Sequence, residues 1–545
     1  SRFQPEGLHG PSQVVDPAFP WTDQGWMGLP LERYVIYELH VGTFTPDGTF
    51  DAVIPHLDRL KDLGITAIEL MPVGQCPGQR NWGYDGALPF AVQHSYGGPE
   101  GLKRLVNACH TRGLVVILDV VYNHLGPEGS VLPNFGPYLT ERYRPHWGPA
   151  MNFDGAENRE VRRYVIENAL SWVSEYHVDA LRLDALHAIV DNSAQPWLGE
   201  LTAAVHAWAS HHHRRVILIG ESDLNDPQLL LPPAQGGTGL DAQWNDDFHH
   251  ALHALMTGER NGSYADFGGV SHLAKAMAVG YVYDGQYSIY RRRRHGAPSA
   301  SIPARQLIVY AQNHDQVGNR QDGERLSRLT SFEALKLAAG VVILSPYLPL
   351  LFMGEEDGET APFLYFTSHT ERELIEAVRR GRREEFAAFH WHGEAPDPQA
   401  EETFQRSKLQ HALGGEAPST LWAFYQTLLR LRRTLPALAR PDKDAMDVEG
   451  DEDVRALTVL RWHGDDAVFM VFHFGRRANE ITCEVPVGNW RKALDSAEAR
   501  WRGPGSRLPD DLKSLGRVSL TVAAETCVLF VKRQAGGSND ATGDL

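Results

Sequence analysis

The sequence predicts a (β/α)8 barrel that is enlarged by a loop-rich insert after its third strand and followed by an antiparallel β domain. Three observations predict this class. Short apolar runs alternate with longer amphipathic stretches from about residue 33, eight such runs can be counted, and strands beyond about residue 448 follow one another without helices. Apolar runs of this kind are typical of parallel strands that are covered on both faces. Eight of them in strand–helix order predict a closed barrel.

The predicted helices carry apolar residues at helical spacing. In 50–64, for example, four apolar residues share one helical face and Gly64 ends the helix. The eight predicted strands span 33–44, 66–73, 114–123, 178–184, 216–221, 242–246, 306–315 and 348–356. The predicted helices span 50–64, 98–113, 158–176, 197–210, further stretches up to about 280, 331–344, 371–387 and 418–435.

The strand–helix rhythm breaks after the third strand, where Gly, Pro, Asn and aromatic residues crowd into 124–157. Long inserts at such positions are usually functional. We expect 31–447 to form the barrel, 448–533 the β domain and 534–545 a disordered tail. The segment 1–30 begins without Met and has the composition of a linker, which indicates that an earlier domain precedes it.

Composition excludes several classes of protein. The 545 residues are 42% hydrophobic and 10% aromatic, so the chain can bury a large core and is not intrinsically disordered. The 52 basic against 69 acidic residues leave a net charge of −17, so we expect no nucleic-acid partner. No apolar window is long enough for a membrane span or a signal peptide. Four widely spaced cysteines favour a reducing compartment, and we expect a cytoplasmic protein.

Charged side chains follow several of the predicted strands at their carboxyl ends, where barrel enzymes place their active sites. They are Asp119 to His124 after strand 3, Arg182 and Asp184 on strand 4, Glu221 on strand 5 and Asn313 to Asp315 on strand 7. Taken singly, each carboxylate also fits a helix cap, an ion pair or a turn. Together, three carboxylates beside one arginine favour a catalytic site.

The order of the strands sharpens this prediction. Strands 4 and 5 are neighbours about 4.8 Å apart, so Asp184 and Glu221 can reach the separation of about 5–5.5 Å that retaining glycosidases use. Asp184, beside Arg182, is predicted to stay ionised and act as nucleophile. Glu221 follows an apolar run and is predicted to hold the proton of a general acid. Asp315 would hold sugar hydroxyls and favour the oxocarbenium-like transition state.

Four segments resemble the four ordered motifs of the α-amylase family of glycoside hydrolases. They are DVVYNH (119–124), ALRLDALHA (180–188), IGES (219–222) and NHDQ (313–316). All four lie on the expected strands, and the resemblance covers about 33–533. It implies that Asp184 is the nucleophile, Glu221 the acid/base and Asp315 the transition-state stabiliser.

The resemblance also implies residues that bind the sugar. His124, Arg182 and His314 match the family's hydrogen-bonding positions, and Asp119 supports them. Tyr84 matches the aromatic residue on which the cleaved sugar stacks. His187 lies at the position that contacts the leaving-group side.

Within this family, phrases such as ELHVGTFTPDGTFD, QWNDDFHHALHALMTGE and NHDQVGNRQDGERL resemble the trehalohydrolase branch. That branch cleaves the α-1,4 bond beside the terminal trehalose of maltooligosyltrehalose, acts with a maltooligosyltrehalose synthase and carries an N-terminal β-sandwich. The resemblance implies that 1–30 is a linker leaving such a sandwich. The alternative is glycogen branching enzyme, but Ser222 and Asn313 differ from its usual Glu and Ser. A catalytically inactive glucan-binding relative is a third possibility, which the intact carboxylates disfavour.

The remaining signals concern the insert, the loops and metals. Trp147 and Phe153 in the insert fit either sugar stacking or a core, and we expect Arg320 to bind trehalose hydroxyls. His249 and His253 lie at i, i+4, but no metalloprotease-type HExxH motif surrounds them. We expect no metal or other cofactor. The run Arg291 to Arg294 is predicted to be an exposed loop.

Overall fold

The structure is a computed structural model that describes residues 1–145, 148–388, 395–410 and 419–533. Eight parallel strands close into a barrel in which β1 pairs with β2 and β8, and every other strand pairs with its neighbours in the chain. A six-stranded antiparallel sheet follows in the order β9-β10-β11-β14-β12-β13. The predicted fold class is confirmed. The predicted domain boundaries stay a prediction, and the tail 534–545 lies outside the described residues.

The barrel strands are β1 (Ile36–Leu39), β2 (Ala67–Leu70), β3 (Val115–Val120), β4 (Ala180–Leu183), β5 (Ile217–Gly220), β6 (Ala242–Trp244), β7 (Leu307–Val309) and β8 (Leu348–Phe352). The sheet strands are β9 (Met446–Asp451), β10 (Ala456–His463), β11 (Asp466–His473), β12 (Asn479–Asp495), β13 (Asp511–Val522) and β14 (Thr526–Lys532).

The α-helices, in chain order, are α1 (Val41–Phe44), α2 (Phe50–Val53), α3 (Leu57–Leu63), α4 (Gly98–Thr111), α5 (Arg159–Ser174), α6 (Trp197–His211), α7 (Asp246–Thr257), α8 (Val270–Val279), α9 (His314–Gly318), α10 (Leu326–Leu329), α11 (Phe332–Ile343), α12 (Arg372–Ala388), α13 (Glu401–Arg406), α14 (Thr420–Thr434) and α15 (Pro436–Ala439). Two-residue strands Leu139–Thr140 and Ala150–Met151 pair inside the insert, and a hairpin joins Asp284–Ser288 to Arg293–Gly296.

Alternation along the strands places side chains in two separate cores. Val115 and Ile117 belong to the apolar cluster inside the barrel, whereas Val116 and Leu118 pack in the larger cluster shared with the helices. Successive side chains on a strand point to opposite faces, so every second residue faces the same way. After Ile117, the next inward-facing residue of β3 is therefore Asp119. The same step leads from Ala180 to Arg182 and on to Asp184. The barrel interior is therefore apolar near the amino ends of the strands and polar near their carboxyl ends.

The seventh strand is shorter than predicted. The expected strand 306–315 ends at Val309, and Asn313 instead caps the short helix α9 by accepting a hydrogen bond from the backbone of Gln316 at 2.8 Å. An Asn side chain that binds the backbone three residues ahead favours a helix start over a continued strand. As a result Asp315 lies in the first turn of a helix and not on a strand.

The C-terminal sheet packs against the barrel through helix α11. A Cβ atom added at Gly340 of that helix would lie 2.5 Å from Cys527 Sγ and 3.1 Å from its Cβ. Arg461 of β10 is buried and donates to the carbonyl oxygens of Leu344 and Ser345, both at 3.0 Å. The packing of the sheet on the barrel therefore depends on the close contact between Gly340 and Cys527. It also depends on the hydrogen bonds that the Arg461 guanidinium donates to loop carbonyl groups.

Residues 21–28 lie at the barrel end opposite the predicted site, beside the start of β4 and the end of α4. Trp26 Nε1 donates to Asp179 at 2.7 Å, and His110 lies between Asp23 at 2.7 Å and Asp179 at 2.9 Å. Burial alone would raise the pKa of Asp23, but hydrogen bonds from His110 and His177 outweigh it and lower that pKa to about 2. Within the described residues, none of the helices combines the length and the apolar character that a bilayer crossing requires.

We expect Gly340→Ala to destabilise the protein, because the new methyl group collides with Cys527 in a packed junction. Overpacking of this kind costs about 1–3 kcal/mol in the free energy of unfolding. The matched control is Gly199→Ala in α6, where a Cβ meets nothing within 4 Å and Ala favours the helix by up to about 1 kcal/mol. Denaturant unfolding of both variants measures the difference. Equal stability of the two variants would contradict the described junction.

Candidate active site

The three predicted catalytic carboxylates surround one guanidinium at the carboxyl end of the barrel. Arg182 Nη1 lies 2.7 Å from Asp184 Oδ1, and its Nη2 lies 3.3 Å from Glu221 Oε2 and 4.0 Å from Asp315 Oδ2. These side chains come from β4, from the end of β5 and from α9. The structure therefore brings together Asp184, Glu221 and Asp315 around Arg182.

Arg182 is fully buried, so its charge needs compensation inside the barrel. Its Nη1 donates to both oxygens of Asp119, at 2.9 and 3.0 Å. The guanidinium carbon lies 4.3 Å from the ring centroid of Trp244, a cation–π contact from β6. Burial opposes the positive charge, but Asp119, Tyr84 and Glu221 outweigh it and hold the pKa of Arg182 well above its ordinary value.

Both oxygens of Asp184 have fixed partners. Arg182 binds Oδ1, and the Asn123 side-chain amide donates to Oδ2 at 2.9 Å. Two donors on different oxygens hold the carboxylate in one orientation. The side chain is 12% exposed, so it faces the open end of the barrel.

Glu221 has a partner on one oxygen only. The backbone N–H of Ala185 donates to Oε2 at 2.5 Å, and Arg182 approaches the same oxygen. Across the described ranges, Oε1 has no hydrogen-bonding partner, so it is the atom available to carry a transferable proton. Loss of solvent around the carboxyl raises the pKa of Glu221 to about 8, although Arg182 opposes this shift. At neutral pH the group is protonated, as a general acid must be.

The backbone places Glu221 beside Asp184. The register pairs Leu183 with Gly220, the residues that precede them. The N–H of Glu221 donates to Leu183 O at 3.0 Å, and Leu186 donates back to Glu221 O at 2.9 Å. Two side chains at equivalent positions of neighbouring parallel strands face the same side of the sheet. The Asp184 and Glu221 carboxyl groups therefore stand side by side.

Asp315 is the most open of the three carboxylates. Its side chain is 34% exposed, whereas that of Glu221 is 15% exposed. Asn319 donates to Oδ1 at 3.1 Å, and His314 Nε2 lies 3.4 Å from Oδ2. A carboxylate held in this position can accept hydrogen bonds from a bound polyol.

A chain of hydrogen bonds crosses the barrel from Glu38 to Asp119. Glu38 accepts from the backbone N–H of His314 at 2.9 Å and also binds its Nδ1. His314 Nε2 lies 2.7 Å from the Tyr84 hydroxyl, which donates to Asp119 at 2.6 Å. Burial lowers the pKa of His314, but Asp315 and Glu38 outweigh it and raise that pKa to about 9. His314 is thus a cation that donates to Tyr84 on one side and to Glu38 on the other.

Tyr84 is fixed against this chain. Its ring stacks on the His314 ring with centroids 5.3 Å apart and an interplanar angle of 21°. His124 Nε2 donates to the backbone oxygen of Tyr84 at 2.9 Å, while its Nδ1 lies against Asn123. The aromatic ring and the three carboxylates therefore share one rigid frame.

The other predicted site residues lie in several environments. His187 is 29% exposed and its Nδ1 lies 3.9 Å from Asp223. Arg320 is 8% exposed and forms a bidentate ion pair with Glu259, both contacts at 2.9 Å. Its role in binding trehalose stays a prediction, and Trp147 lies outside the described residues.

The structure decides two further signals of the sequence. Of the two roles left open for Phe153, the structure shows the core role, because Phe153 is buried and stacks on Trp197 with ring centroids 4.3 Å apart. Arg291 is not part of an exposed loop, because its Nη1 donates to Asp223 at 2.7 Å and its side chain is 16% exposed. The predicted exposure is wrong for Arg291 and correct for the other three arginines of the run.

Sequence reasoning missed Glu38 and Trp244, which contact His314 and Arg182, and it missed the buried Glu69. It placed Asn123 in the motif after the third strand but did not predict its hydrogen bond to Asp184. Glu38 and Glu69 stand opposite each other in β1 and β2, two residues beyond the inward positions Ile36 and Ala67. The alternation of inward-facing and outward-facing side chains along those strands is the sequence signal that could have identified both residues. Both Glu69 oxygens are buried without a hydrogen-bonding partner among the described residues, and burial raises the pKa of Glu69 well above its usual range.

The part of the chain that the structure describes holds no candidate metal site, because no three His, Cys, Asp or Glu side chains form a suitable group there. His249, His250 and His253 are buried among aromatic rings. Burial lowers the pKa of all three, so they are neutral.

Comparisons with known proteins show the family to which the chain belongs. The family model for the alpha amylase catalytic domain matches residues 21–145. A malto-oligosyltrehalose trehalohydrolase of Arthrobacter ramosus is 51% identical over 82% of this chain and 78% of its own. The same-named protein of Saccharolobus solfataricus is 48% identical over 79% of this chain and 74% of its own.

A crystal structure from Salmonella typhimurium, described as a candidate alpha amylase, superposes with a TM-score of 0.87 at 37% identity. It covers 98% of this chain and 88% of its own. The 1,4-alpha-glucan branching enzyme of Corynebacterium jeikeium is more distant, at 25% identity over 92% of this chain and 66% of its own. The chain therefore belongs to the malto-oligosyltrehalose trehalohydrolases, a branch of the α-amylase family of glycoside hydrolases.

Proposed function

We propose that the protein is a retaining glycoside hydrolase that cleaves the α-1,4 bond beside the terminal trehalose of maltooligosyltrehalose. Its products are trehalose and a shortened maltooligosaccharide. One observation carries the chemistry: the Asp184 and Glu221 carboxyl groups stand at the ends of neighbouring strands around Arg182. The substrate class is supported by relatives named malto-oligosyltrehalose trehalohydrolase at about half identity over most of the chain.

In the first step Glu221 gives its proton to the glycosidic oxygen while Asp184 Oδ attacks the anomeric carbon. The bond from that carbon to the oxygen breaks, and trehalose leaves as the alcohol. The maltooligosyl residue stays attached to Asp184 as an ester. Glu221, now a carboxylate, takes a proton from water whose oxygen attacks the same carbon. Asp184 is released and the configuration at the carbon is retained.

The surroundings suit this sequence of steps. Arg182 and Asn123 hold Asp184 as an oriented anion before attack. When Glu221 loses its proton, the charge it gains lies 3.3 Å from Arg182 Nη2. The positive charge that develops on the sugar ring faces Asp184 and Asp315. Preorganised charges of this kind stabilise a transition state without reorganising.

We assign the remaining contacts to the sugar on the same basis. Tyr84 is proposed to stack on the sugar that is cleaved. His124 and His314, whose ring nitrogens already have protein partners, are proposed to share an N–H with its hydroxyls. Asp119 orients Arg182 and Tyr84 and is a positioning residue. His187 is proposed to face the leaving trehalose, and Trp147 and Arg320 complete the proposed substrate-binding set.

We further propose that the protein works in the cytoplasm beside a maltooligosyltrehalose synthase. A reaction that releases trehalose from such a glucan needs one that first builds the trehalose end. All four cysteines are buried thiols, which suits a reducing compartment.

Asp184→Asn is expected to lower kcat by at least about a thousandfold, because the amide cannot form the glycosyl ester. Its thermal unfolding should stay close to that of the parent protein, since Arg182 and Asn123 keep polar partners. Trehalose release measured by chromatography tests this. Activity near that of the parent would refute the nucleophile assignment.

The pH profile tests the acid. Because the pKa of Glu221 is raised to about 8, the protonated form dominates below that pH and is lost above it. We expect kcat/KM on maltooligosyltrehalose to fall as the pH rises through about 8.

Glu221→Gln should lose most activity on this substrate but retain formation of the glycosyl ester from an α-glucosyl fluoride, whose fluoride leaves without protonation. An unchanged basic limb in Glu221→Gln would exclude Glu221 as its origin.

Substrate choice is tested by offering maltopentaosyltrehalose and amylose separately. We expect free trehalose and maltopentaose from the first, and far slower hydrolysis of the second. Chromatography of trehalose, reducing ends and α-1,6 branches separates the outcomes. New branches would favour a branching enzyme, and glucose or maltose from amylose with little trehalose would indicate an ordinary amylase.

A further inference from the structure

Apart from the active site, the structure has a cavity where the barrel meets the C-terminal sheet. It has a volume of about 300 Å³, and none of its lining residues belongs to the active site. Its apolar floor comes from both parts of the molecule: Leu255 and Met256 at the end of α7, Leu337 of α11 and Phe474 after β11. Cavities of this size hold small molecules.

Three arginines from separate segments line this cavity: Arg260, Arg455 and Arg476. Arg260 Nη1 donates to Ala254 O at 2.6 Å, and Arg455 Nη2 donates to Leu255 O at 2.8 Å. These bonds to carbonyl groups fix two guanidiniums in position without neutralising their charge.

Arg476 is exposed, and its guanidinium has no hydrogen bond or ion pair to any residue that the structure describes. Within the same described ranges, Arg260 and Arg455 also lack a carboxylate partner. The one acidic residue of the lining is Glu525, whose carboxylate already accepts from the Ser331 hydroxyl. The cavity therefore concentrates positive charge on a chain whose net charge is −17.

Uncompensated, anchored guanidiniums are the groups that proteins use to bind phosphate, because their fork of N–H donors matches its oxygens. The apolar floor beside them suits an organic body attached to that phosphate. A neutral glucan fits less well, since it would leave the three charges unpaired and Phe474 is only 4% exposed, which offers no open ring for stacking. We propose that this cavity binds a small organic phosphomonoester.

The test compares Arg476→Gln with the neighbouring Arg477→Gln. Arg477 is also exposed but does not line the cavity, so it is a matched control for the loss of one surface charge. Isothermal titration calorimetry of the full chain would use glucose 6-phosphate, AMP, inorganic phosphate and glucose. The two esters distinguish a sugar body from a nucleoside body.

We expect at least one ester to bind the parent protein more tightly than inorganic phosphate does, and glucose not to bind this cavity. Arg476→Gln should weaken that binding about tenfold or more, the scale of a lost hydrogen bond to a charged group, while Arg477→Gln leaves it unchanged. Raised salt should weaken it in the parent.

Equal affinity in both variants would overturn the proposal, and so would glucose binding that Arg476→Gln weakens. Failure of both esters to bind the parent protein would also overturn it. Thermal unfolding of both variants checks that they fold alike.

Discussion

The buried guanidinium of Arg182 is the interaction on which the active site depends. A fully buried cation is tolerated only when opposite charges and hydrogen bonds surround it, and here Asp119 and Asp184 supply them. In return, the cation allows several acidic side chains to stand within a few ångströms of one another. Without it, their mutual repulsion would force them to bind protons or to move apart.

The distribution of protons follows from this arrangement. Asp184 has a donor on each oxygen, whereas Glu221 has a single hydrogen bond, from a backbone N–H, and burial raises its pKa to about 8. His314 is cationic because Glu38 and Asp315 outweigh its burial. Two carboxyl groups on neighbouring strands thus have different surroundings, and retaining hydrolysis needs two carboxyl groups with different roles.

The barrel supplies the common chemistry, and the loops around it supply the rest. The catalytic groups stand on strand ends or on the first turn that follows one, where backbone hydrogen bonds fix their positions. Arg320, Glu259 and His187 lie on the connections beyond the strand ends, where Arg320 pairs with Glu259 and His187 lies near Asp223. This division explains why the carboxylates can be assigned from the fold while recognition of trehalose needs the substrate assays.

The sequence by itself determined the eight strands, the three carboxylates and Arg182, because period-two alternation and polar strand ends are local signals. The tertiary structure decided which partners those groups have. Glu38 meets His314 across 276 positions of the chain, and this contact exists only because the barrel closes β1 against β8, the neighbour of β7. The tertiary structure also moved Asp315 from a strand to a helix start, and it buried Phe153. Contacts made by closure and packing leave no local pattern, so the sequence could not predict them.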